Sequence, residues 1–229
     1  MQSSREMIEE VARRLGPLRE HVTFLGGAVM TLLVSDPAAP EVRATEDVDV
    51  VVKMATRAAY YRMEEELLQL GFTKRHKEGD PVCRWSVANV VVDVMPTDET
   101  ILGFGNRWYL PAIAQAQTIT LSSSLDIRVI TAPYFLATKL EAFQGRGKGD
   151  FLGSADIADI ISILDGRPEL NFEVQAADTP LRQYLARSFG EYRVLPAFTE
   201  AIAGHLLPDA ASQMRLSLVL SRIDQIIAK

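Results

Sequence analysis

Short apolar and β-branched runs, separated by segments with apolar residues at helical spacing, fill about the first 165 residues of the chain. Strands are predicted for the runs at 22–25, 47–53, 72–75, 82–87, 90–95, 118–121 and 125–130. Helices are predicted at 4–16, 28–33, 56–70, 106–115, 134–144 and 154–164. From about residue 177 onward the pattern is helical alone, at 179–189, 192–205 and 208–228. We therefore expect an α/β front part followed by a helical back part.

A soft boundary between the two parts is expected at Gly166-Arg167-Pro168, because glycine and proline punctuate regular structure. The prediction is an α/β (α+β) domain over 1–166, with a mixed sheet flanked by helices. A C-terminal helical region over 167–229 is expected to pack on that domain.

Composition excludes several classes of protein. The 229 residues carry a formal net charge of -6, which argues against a stable coat on DNA or a broad nucleic-acid surface. The single cysteine, Cys83, excludes an internal disulfide framework and suits a reducing compartment. Acidic residues near the N-terminus do not resemble a signal peptide, and no apolar run reaches the length of a membrane span. A cytoplasmic protein without a membrane partner is expected.

Candidate chemistry begins at Asp47-Val48-Asp49, where the predicted acidic strand starts. Side chains alternate along a strand, so Asp47 and Asp49 share one face. Two neighbouring carboxylates repel each other and resist losing water. A divalent cation relieves both problems, and Mg²⁺ takes oxygen ligands. The alternative is a pair of solvated acids at a strand end.

A third acid and a glycine pair extend this pattern. Asp93 lies inside the run from Val90 to Met95, and a carboxylate among such neighbours should be paired, protonated or metal-bound. Gly26-Gly27 stands between a predicted strand and a predicted helix, where glycine allows close approach of a ligand and free N–H groups suit a phosphate. A purely structural turn is the alternative for the glycines.

These three parts, in this order, resemble the nucleotidyltransferase superfamily related to DNA polymerase beta. The resemblance is nearest to small bacterial nucleotidyltransferase-like proteins around the AbiE-type abortive-infection toxins. It covers about residues 22 to 165. Besides the acids, it is carried by the run from Arg43 through Thr45 to Asp49, by Lys139-Leu140-Glu141-Ala142, and by Arg146, Lys148, Asp156 and Asp159. Two departures are a long loop between Gly27 and Asp47, and Gly27 itself at a position where serine is also used.

The resemblance implies a nucleotidyltransferase-type sheet and transfer of a nucleoside monophosphate from an NTP to an acceptor hydroxyl, with release of pyrophosphate. It implies two Mg²⁺ ions, with Mn²⁺ as a substitute, held by Asp47, Asp49 and Asp93. Expected nucleotide-binding residues are Gly26, Gly27, Arg43, Thr45 and Lys139. Expected acceptor contacts are Arg146, Lys148 and Asp156, although a solvated turn would also explain the two cations, and Asp159 is expected to be structural.

Several alternatives stay open at this point. The acceptor could be an RNA end, a protein hydroxyl or a small molecule such as an aminoglycoside. The resemblance also suggests a toxin that acts with an antitoxin protein. A different class of function is a catalytically silent nucleotidyltransferase fold that serves as a nucleotide-binding or partner-binding module.

Overall fold

The computed structural model of the chain describes residues 2–75, 77–122 and 124–228. The chain forms two compact units. The first consists of Met1–Thr31 and Ala44–Thr131, and the second consists of Leu32–Arg43 and Ala132–Lys229. None of the helices in the described ranges is long and apolar enough to cross a membrane.

The first unit is built on a mixed seven-stranded sheet, which confirms the predicted α/β class. Its strands are β1 (Val22–Leu25), β2 (Asp47–Val52), β3 (Thr73–Lys74), β4 (Arg84–Val87), β5 (Val90–Pro96), β6 (Gln117–Thr120) and β7 (Asp126–Val129). Their order across the sheet is β3-β4-β5-β2-β1-β7-β6. The pairs β2–β5 and β1–β7 are parallel, and the other pairs are antiparallel. Each predicted strand is present, with ends that differ by at most two residues.

The helices that belong to or begin in the first unit are α1 (Ser4–Leu15), α2 (Met30–Leu33), α3 (Arg57–Gln69), α4 (Glu99–Leu102) and α5 (Tyr109–Ala114). Helix α1 starts with a capping box, in which the Ser3 hydroxyl accepts from the Glu6 N–H and the Glu6 carboxylate accepts from the Ser3 N–H. The α4 turn was not predicted from the sequence; the side chain of Asp98 caps its start. Short turns of this kind lack the repeated apolar spacing that identifies longer helices.

The hairpin of β4 and β5 sets the register that matters for the candidate site. Ala88 and Asn89 link the two strands with φ values of 47° and 67°. Positive φ at both central residues is the mark of the two-residue turn that matches strand twist. The turn pairs Val87 with Val90 and, further along, Arg84 with Asp93.

The second unit is helical, with α6 (Ala132–Arg146), α7 (Ala155–Gly166), α8 (Leu170–Ala176), α9 (Thr179–Arg193), α10 (Pro196–His205), α11 (Ala210–Met214) and α12 (Leu216–Ile227). The helical C-terminal region is thus confirmed. The sequence missed α8, and the predicted helix over 208–228 is divided in two by a turn at Arg215.

The division between the units follows Thr131, whereas the sequence places a boundary after Gly166. Helices α6 and α7 carry apolar side chains that pack against α9 and α12, so they belong with the helices that follow them. Region 167–229 is therefore one part of a larger helical unit. The Gly-Arg-Pro segment is a turn within that unit: the Arg167 N–H donates to the Ile163 carbonyl at the end of α7.

Arg215, in the turn before α12, and Arg222, on α12, donate hydrogen bonds to the C-terminal end of α7. Arg222, whose exposed fraction is 8%, donates to the carbonyls of Leu164 and Asp165 at 2.5 and 2.7 Å. Arg215 donates to the carboxylates of Asp165 at 2.6 Å and Asp36 at 2.7 Å. The last carbonyls of a helix have no partner within it, so these side chains supply what the helix lacks.

We expect Arg222→Met to lower the free energy of unfolding by about 1–3 kcal/mol, because the Leu164 carbonyl loses this buried donor while the Asp165 carbonyl keeps only its bond from Arg215. The measurement is urea unfolding followed by circular dichroism. Arg187→Met, which removes an exposed arginine from α9, is the matched control and should change stability by less than about 0.5 kcal/mol. Equal losses of unfolding free energy for the two substitutions would contradict a stabilising role of Arg222 at the end of α7.

Candidate active site and its arginine

The three acids predicted from the sequence lie on two adjacent strands of the first unit. Asp49 on β2 is the register partner of Asp93 on the parallel strand β5. Asp47 lies two residues earlier on β2, hence on the same face. Asp47 and Asp49 are half-buried, and Asp93 is 7% exposed. We call these three residues the acidic row.

Gly26 adjoins the acidic row at the end of β1, where Leu25 is the register partner of Asp49. Its φ of 73° and ψ of -166° suit glycine, and a Cβ there would lie 1.8 Å from the Asp49 Oδ2. The glycine thus permits its backbone to approach a carboxylate. Gly27 begins only a short 3-10 helix, Gly27–Val29, followed by the single turn α2. A phosphate-binding role for Gly26 and Gly27 stays a prediction.

The sequence interpretation overlooked Arg84, which is the register partner of Asp93 on its other side. Its Nε donates to Asp93 Oδ1 at 2.8 Å, and its Nη2 donates to Asp93 Oδ2 at 2.7 Å. The same Nη2 donates to Asp47 Oδ2 at 3.2 Å. The Nη1 lies 3.6 Å from Asp80 Oδ1, just before β4. A planar guanidinium can satisfy a carboxylate with two parallel hydrogen bonds in this way.

Arg84 gives Asp93 the partner that its burial requires. The hydrogen bonds with Asp93 raise the pKa of the Arg84 guanidinium, and the charges of Asp93, Asp47 and Asp80 add to that effect against the cost of burial. Arg84 therefore carries a permanent positive charge. The contact is a charged pair within hydrogen-bond distance, with side chains that are 24% and 10% exposed.

The acidic row has the donor type that Mg²⁺ prefers, but its oxygens are engaged in this structure. Both Asp93 oxygens accept from Arg84, while Asp47 accepts from Arg84 through one oxygen and from the Thr45 hydroxyl through the other, at 2.8 Å. In the described ranges, no group of three or more histidine, cysteine, aspartate or glutamate side chains is arranged to hold a metal ion. With Arg84 in this position, the residues do not fit the predicted ions.

Neighbouring reactive and aromatic side chains are part of the core. Burial raises the pKa of the Cys83 thiol to about 12, and the charge of Asp93 adds to this, so the thiol stays protonated. Trp85 and Trp108 are both buried, so their rings pack in the core.

The second unit gathers the remaining predicted residues except Lys148 into one charged cluster. Arg43 donates to Asp159 Oδ1 at 2.7 Å, and the Lys139 ammonium lies 2.7 Å from Asp159 Oδ2. Lys139 also donates to Asp156 at 3.2 Å, and Arg146 forms a bidentate pair with Asp156 at 2.8 and 2.9 Å. We call these five residues the helical cluster. Asp159 is fully buried, in accord with the structural role expected for it.

Asp156 is held in its charged form by the helical cluster. Burial by itself would raise its pKa, but the hydrogen bonds and charges of Arg146 and Lys139 outweigh burial and hold the pKa below its ordinary value. Lys148 is exposed on the turn after α6, with a φ of 49°. The structure shows no ligand role for any of these residues, and their assignment to nucleotide or acceptor stays a prediction.

Comparisons with known proteins add a faint likeness in structure. No family model matches the chain, and no curated protein sequence matches it. One similar solved structure is a Helicobacter pylori protein provisionally described as a nucleotidyltransferase, with 9% identity, a TM-score of 0.48, and coverage of 98% of this chain and 93% of that chain. Another is JHP933 from Helicobacter pylori, with 9% identity, a TM-score of 0.48, and coverage of 97% and 90%. Likenesses at this level assign no function to the chain.

The pairing of Arg84 with Asp93 predicts coupled stabilities. In buffer with EDTA, Arg84→Met should lower the free energy of unfolding by about 2–3 kcal/mol, since it leaves a buried carboxylate without its partner. Adding Asp93→Asn removes that carboxylate's charge, so the double variant should be more stable than Arg84→Met alone. Urea unfolding of the four proteins in this cycle measures the coupling. Strictly additive losses would show that the pair contributes no coupling energy.

The depressed pKa of Asp156 predicts how its contribution depends on pH. Its folded pKa lies below the unfolded one, so the ionised group stabilises the fold above the unfolded pKa of about 3.9 and loses that effect as pH falls through the folded pKa. Asp156→Asn should cost about 1–3 kcal/mol at pH 7, because it removes one side of a buried ion pair. The difference from the parent protein should shrink below about pH 4.

Denaturant unfolding of both proteins at a series of pH values measures this difference. Glu191→Gln, which alters an exposed carboxylate on α9, is the control and should be nearly neutral throughout. A difference between parent and Asp156→Asn that stays constant with pH would contradict the assignment.

Proposed function

We propose that the protein is a nucleotidyltransferase that moves a nucleoside monophosphate from an NTP to an acceptor hydroxyl and releases pyrophosphate. The observation that carries the proposal is the acidic row itself. Asp49 and Asp93 are register partners on neighbouring parallel strands, and Asp47 lies on the same face. The close approach of Gly26 to Asp49 leaves no room for a side chain at that strand end.

The chemistry explains why three carboxylates at one place favour this reaction. Transfer to a hydroxyl at the α-phosphorus needs positioning and neutralisation of a polyphosphate, and little covalent work by the protein. Mg²⁺, or Mn²⁺ in its place, supplies such neutralisation when carboxylates hold it. The proposal therefore includes an ion that Asp47, Asp49 and Asp93 would hold in a state of the site in which Arg84 does not engage Asp93.

The helical cluster, together with Lys148 outside it, is the proposed source of contacts to phosphates and acceptor. Arg43 and Lys139 are proposed to contact the triphosphate, and Arg146, Lys148 and Asp156 the acceptor. Asp159 and Asp156 already neutralise three of these cations, so a phosphate would have to compete with two buried carboxylates. A structural role for these ion pairs is consistent with that competition. The proposed function therefore rests on the acidic row more than on the helical cluster.

A specific observation favours a second candidate function, a nucleotide-binding module without transfer. Arg84 occupies both oxygens of Asp93, the acid that an ion activating the acceptor hydroxyl would need. A site that keeps this contact permanently could bind a nucleotide and perform no chemistry. The two candidates thus differ in whether Arg84 stays on Asp93.

The acceptor and the biological role are the most specific parts of the proposal. An RNA end, a protein hydroxyl and a small molecule are all acceptors of the required chemistry. A toxin that is restrained by an antitoxin protein is the role suggested by the resemblance of the motifs.

One experiment tests the reaction and its acceptor together. Each α-³²P-labelled NTP is offered with Mg²⁺ to total RNA, total protein and an aminoglycoside panel. We expect label on one acceptor class, and we expect Asp49→Asn to reduce it by about a hundredfold or more, because it removes charge from the centre of the acidic row. Glu46→Gln is the matched control, since Glu46 is an exposed acid directly before β2.

The outcomes separate the candidates. Label that is undiminished in Asp49→Asn would contradict the proposed nucleotidyltransferase. NTP binding by equilibrium dialysis, without label on any acceptor, would favour the silent module.

A further inference from the structure

The contact between Arg84 and the acidic row has a consequence for cation binding. The guanidinium lies within 2.8 Å of both Asp93 oxygens and 3.2 Å from an Asp47 oxygen. A divalent ion bound by the same oxygens would lie within a few ångströms of that permanent charge. Like charges at such distances in a half-buried site repel strongly. Arg84 and an ion therefore exclude each other from Asp93.

The hairpin fixes where Arg84 can reach. Its backbone is the register partner of Asp93, and the two-residue turn at Ala88-Asn89 determines that pairing. The guanidinium can therefore change its position only through its own side-chain torsions, while its Cα stays beside the acidic row.

A second carboxylate offers the guanidinium another partner. Asp80 lies just before β4, with its Oδ1 already 3.6 Å from the Arg84 Nη1 and with a side chain that is 12% exposed. Rotation of the Arg84 side chain toward Asp80, whose other oxygen lies 3.3 Å from the Arg75 Nε, would exchange Asp93 and Asp47 for Asp80. The sequence therefore places two alternative sets of anions within reach of one cation.

We propose that Arg84 is a built-in counter-ion that closes the acidic row to divalent cations, and that an ion binds there when Arg84 turns from Asp93 toward Asp80. The regulatory meaning of this exchange rests on the proposed function, since an ion at the acidic row matters for nucleotidyl transfer. The exchange itself is a property of the acids and the arginine, whatever the acceptor is. It makes the bound ion and the Arg84–Asp93 pair mutually exclusive states of the site.

Direct measurement of Mn²⁺ binding tests the proposal. Electron paramagnetic resonance of free Mn²⁺ gives the dissociation constant for the parent protein, Arg84→Met, the control Arg62→Met and the double variant Arg84→Met/Asp93→Asn. We expect Arg84→Met to bind Mn²⁺ at least about tenfold more tightly than the parent, because a competing charge has gone. The double variant should lose this gain, because the acid that the arginine covered has also lost its charge.

Arg62→Met is the matched control. Arg62 is an exposed arginine on α3 of the same unit, so its removal makes the same change in net charge and leaves Asp80 and Asp93 with their partners. It should alter the Mn²⁺ affinity by no more than about twofold, since exposed charges are screened. An Arg84→Met affinity equal to that of Arg62→Met would overturn the proposal.

A measurement on the parent protein covers the case in which Arg84→Met does not fold. The ¹⁵N signal of the Arg84 Nε, assigned by its absence from Arg84→Lys, is followed through a Mg²⁺ titration. We expect a saturable shift and faster hydrogen exchange as the Nε leaves Asp93. A signal that does not move at any Mg²⁺ concentration would overturn the proposal.

The labelling assay, run on the same proteins, separates this inference from the proposed function. Tighter Mn²⁺ binding by Arg84→Met, with no transfer by either protein, supports the exchange and counts against the nucleotidyltransferase. Transfer by the parent protein, with no gain in Mn²⁺ affinity in Arg84→Met, supports the nucleotidyltransferase and counts against the exchange.

Discussion

A buried carboxylate on a central strand is the constraint on which the candidate site depends. Asp93 is on β5, between β4 and β2, and is 7% exposed, so water cannot solvate its charge fully. Two kinds of neighbour could neutralise that charge: a cationic side chain on β4, or a metal ion shared with Asp49 on β2. The sheet supplies the first in Arg84, and it places Asp49 beside Asp93 as its register partner. Most of the chemistry argued for this chain follows from the competition between them.

The fold and the acids were largely predictable from sequence, whereas the arginine was overlooked although its signal was present. The valine-rich runs located β2 and β5, and alternation along β2 put Asp47 and Asp49 on one face. The two residues Ala88 and Asn89, between the predicted strands 82–87 and 90–95, also implied the pairing of residue 84 with residue 93, by counting outward from that turn. The two hydrogen bonds from Arg84 to Asp93 could not be predicted from the register, because they depend on side-chain torsions that periodicity does not fix.

The helical unit shows a different limit of sequence reasoning. Its helices were visible in their apolar spacing, and Lys139, Arg146, Asp156 and Asp159 were singled out by the family resemblance. Their mutual pairing was not visible, because it joins residues on α6, on α7 and at position 43, which are far apart in the chain. The boundary was misplaced for a related reason. Local punctuation at Gly166-Arg167-Pro168 marks a turn, while membership of a compact unit is decided by which apolar faces meet.

The active and silent candidate functions need not correspond to two different folds. Both require the same sheet, the same register of Asp49 with Asp93, and the same close approach of Gly26. They differ in the position of one guanidinium, which either satisfies Asp93 permanently or gives way to an ion. The exchange trades two charged hydrogen bonds on Asp93 for a new pairing with Asp80 plus the attraction of the ion for the acidic row. The difference between these terms decides the resting state of the site. Intact acids alone are therefore insufficient evidence of activity, because the strength of their counter-ion counts equally.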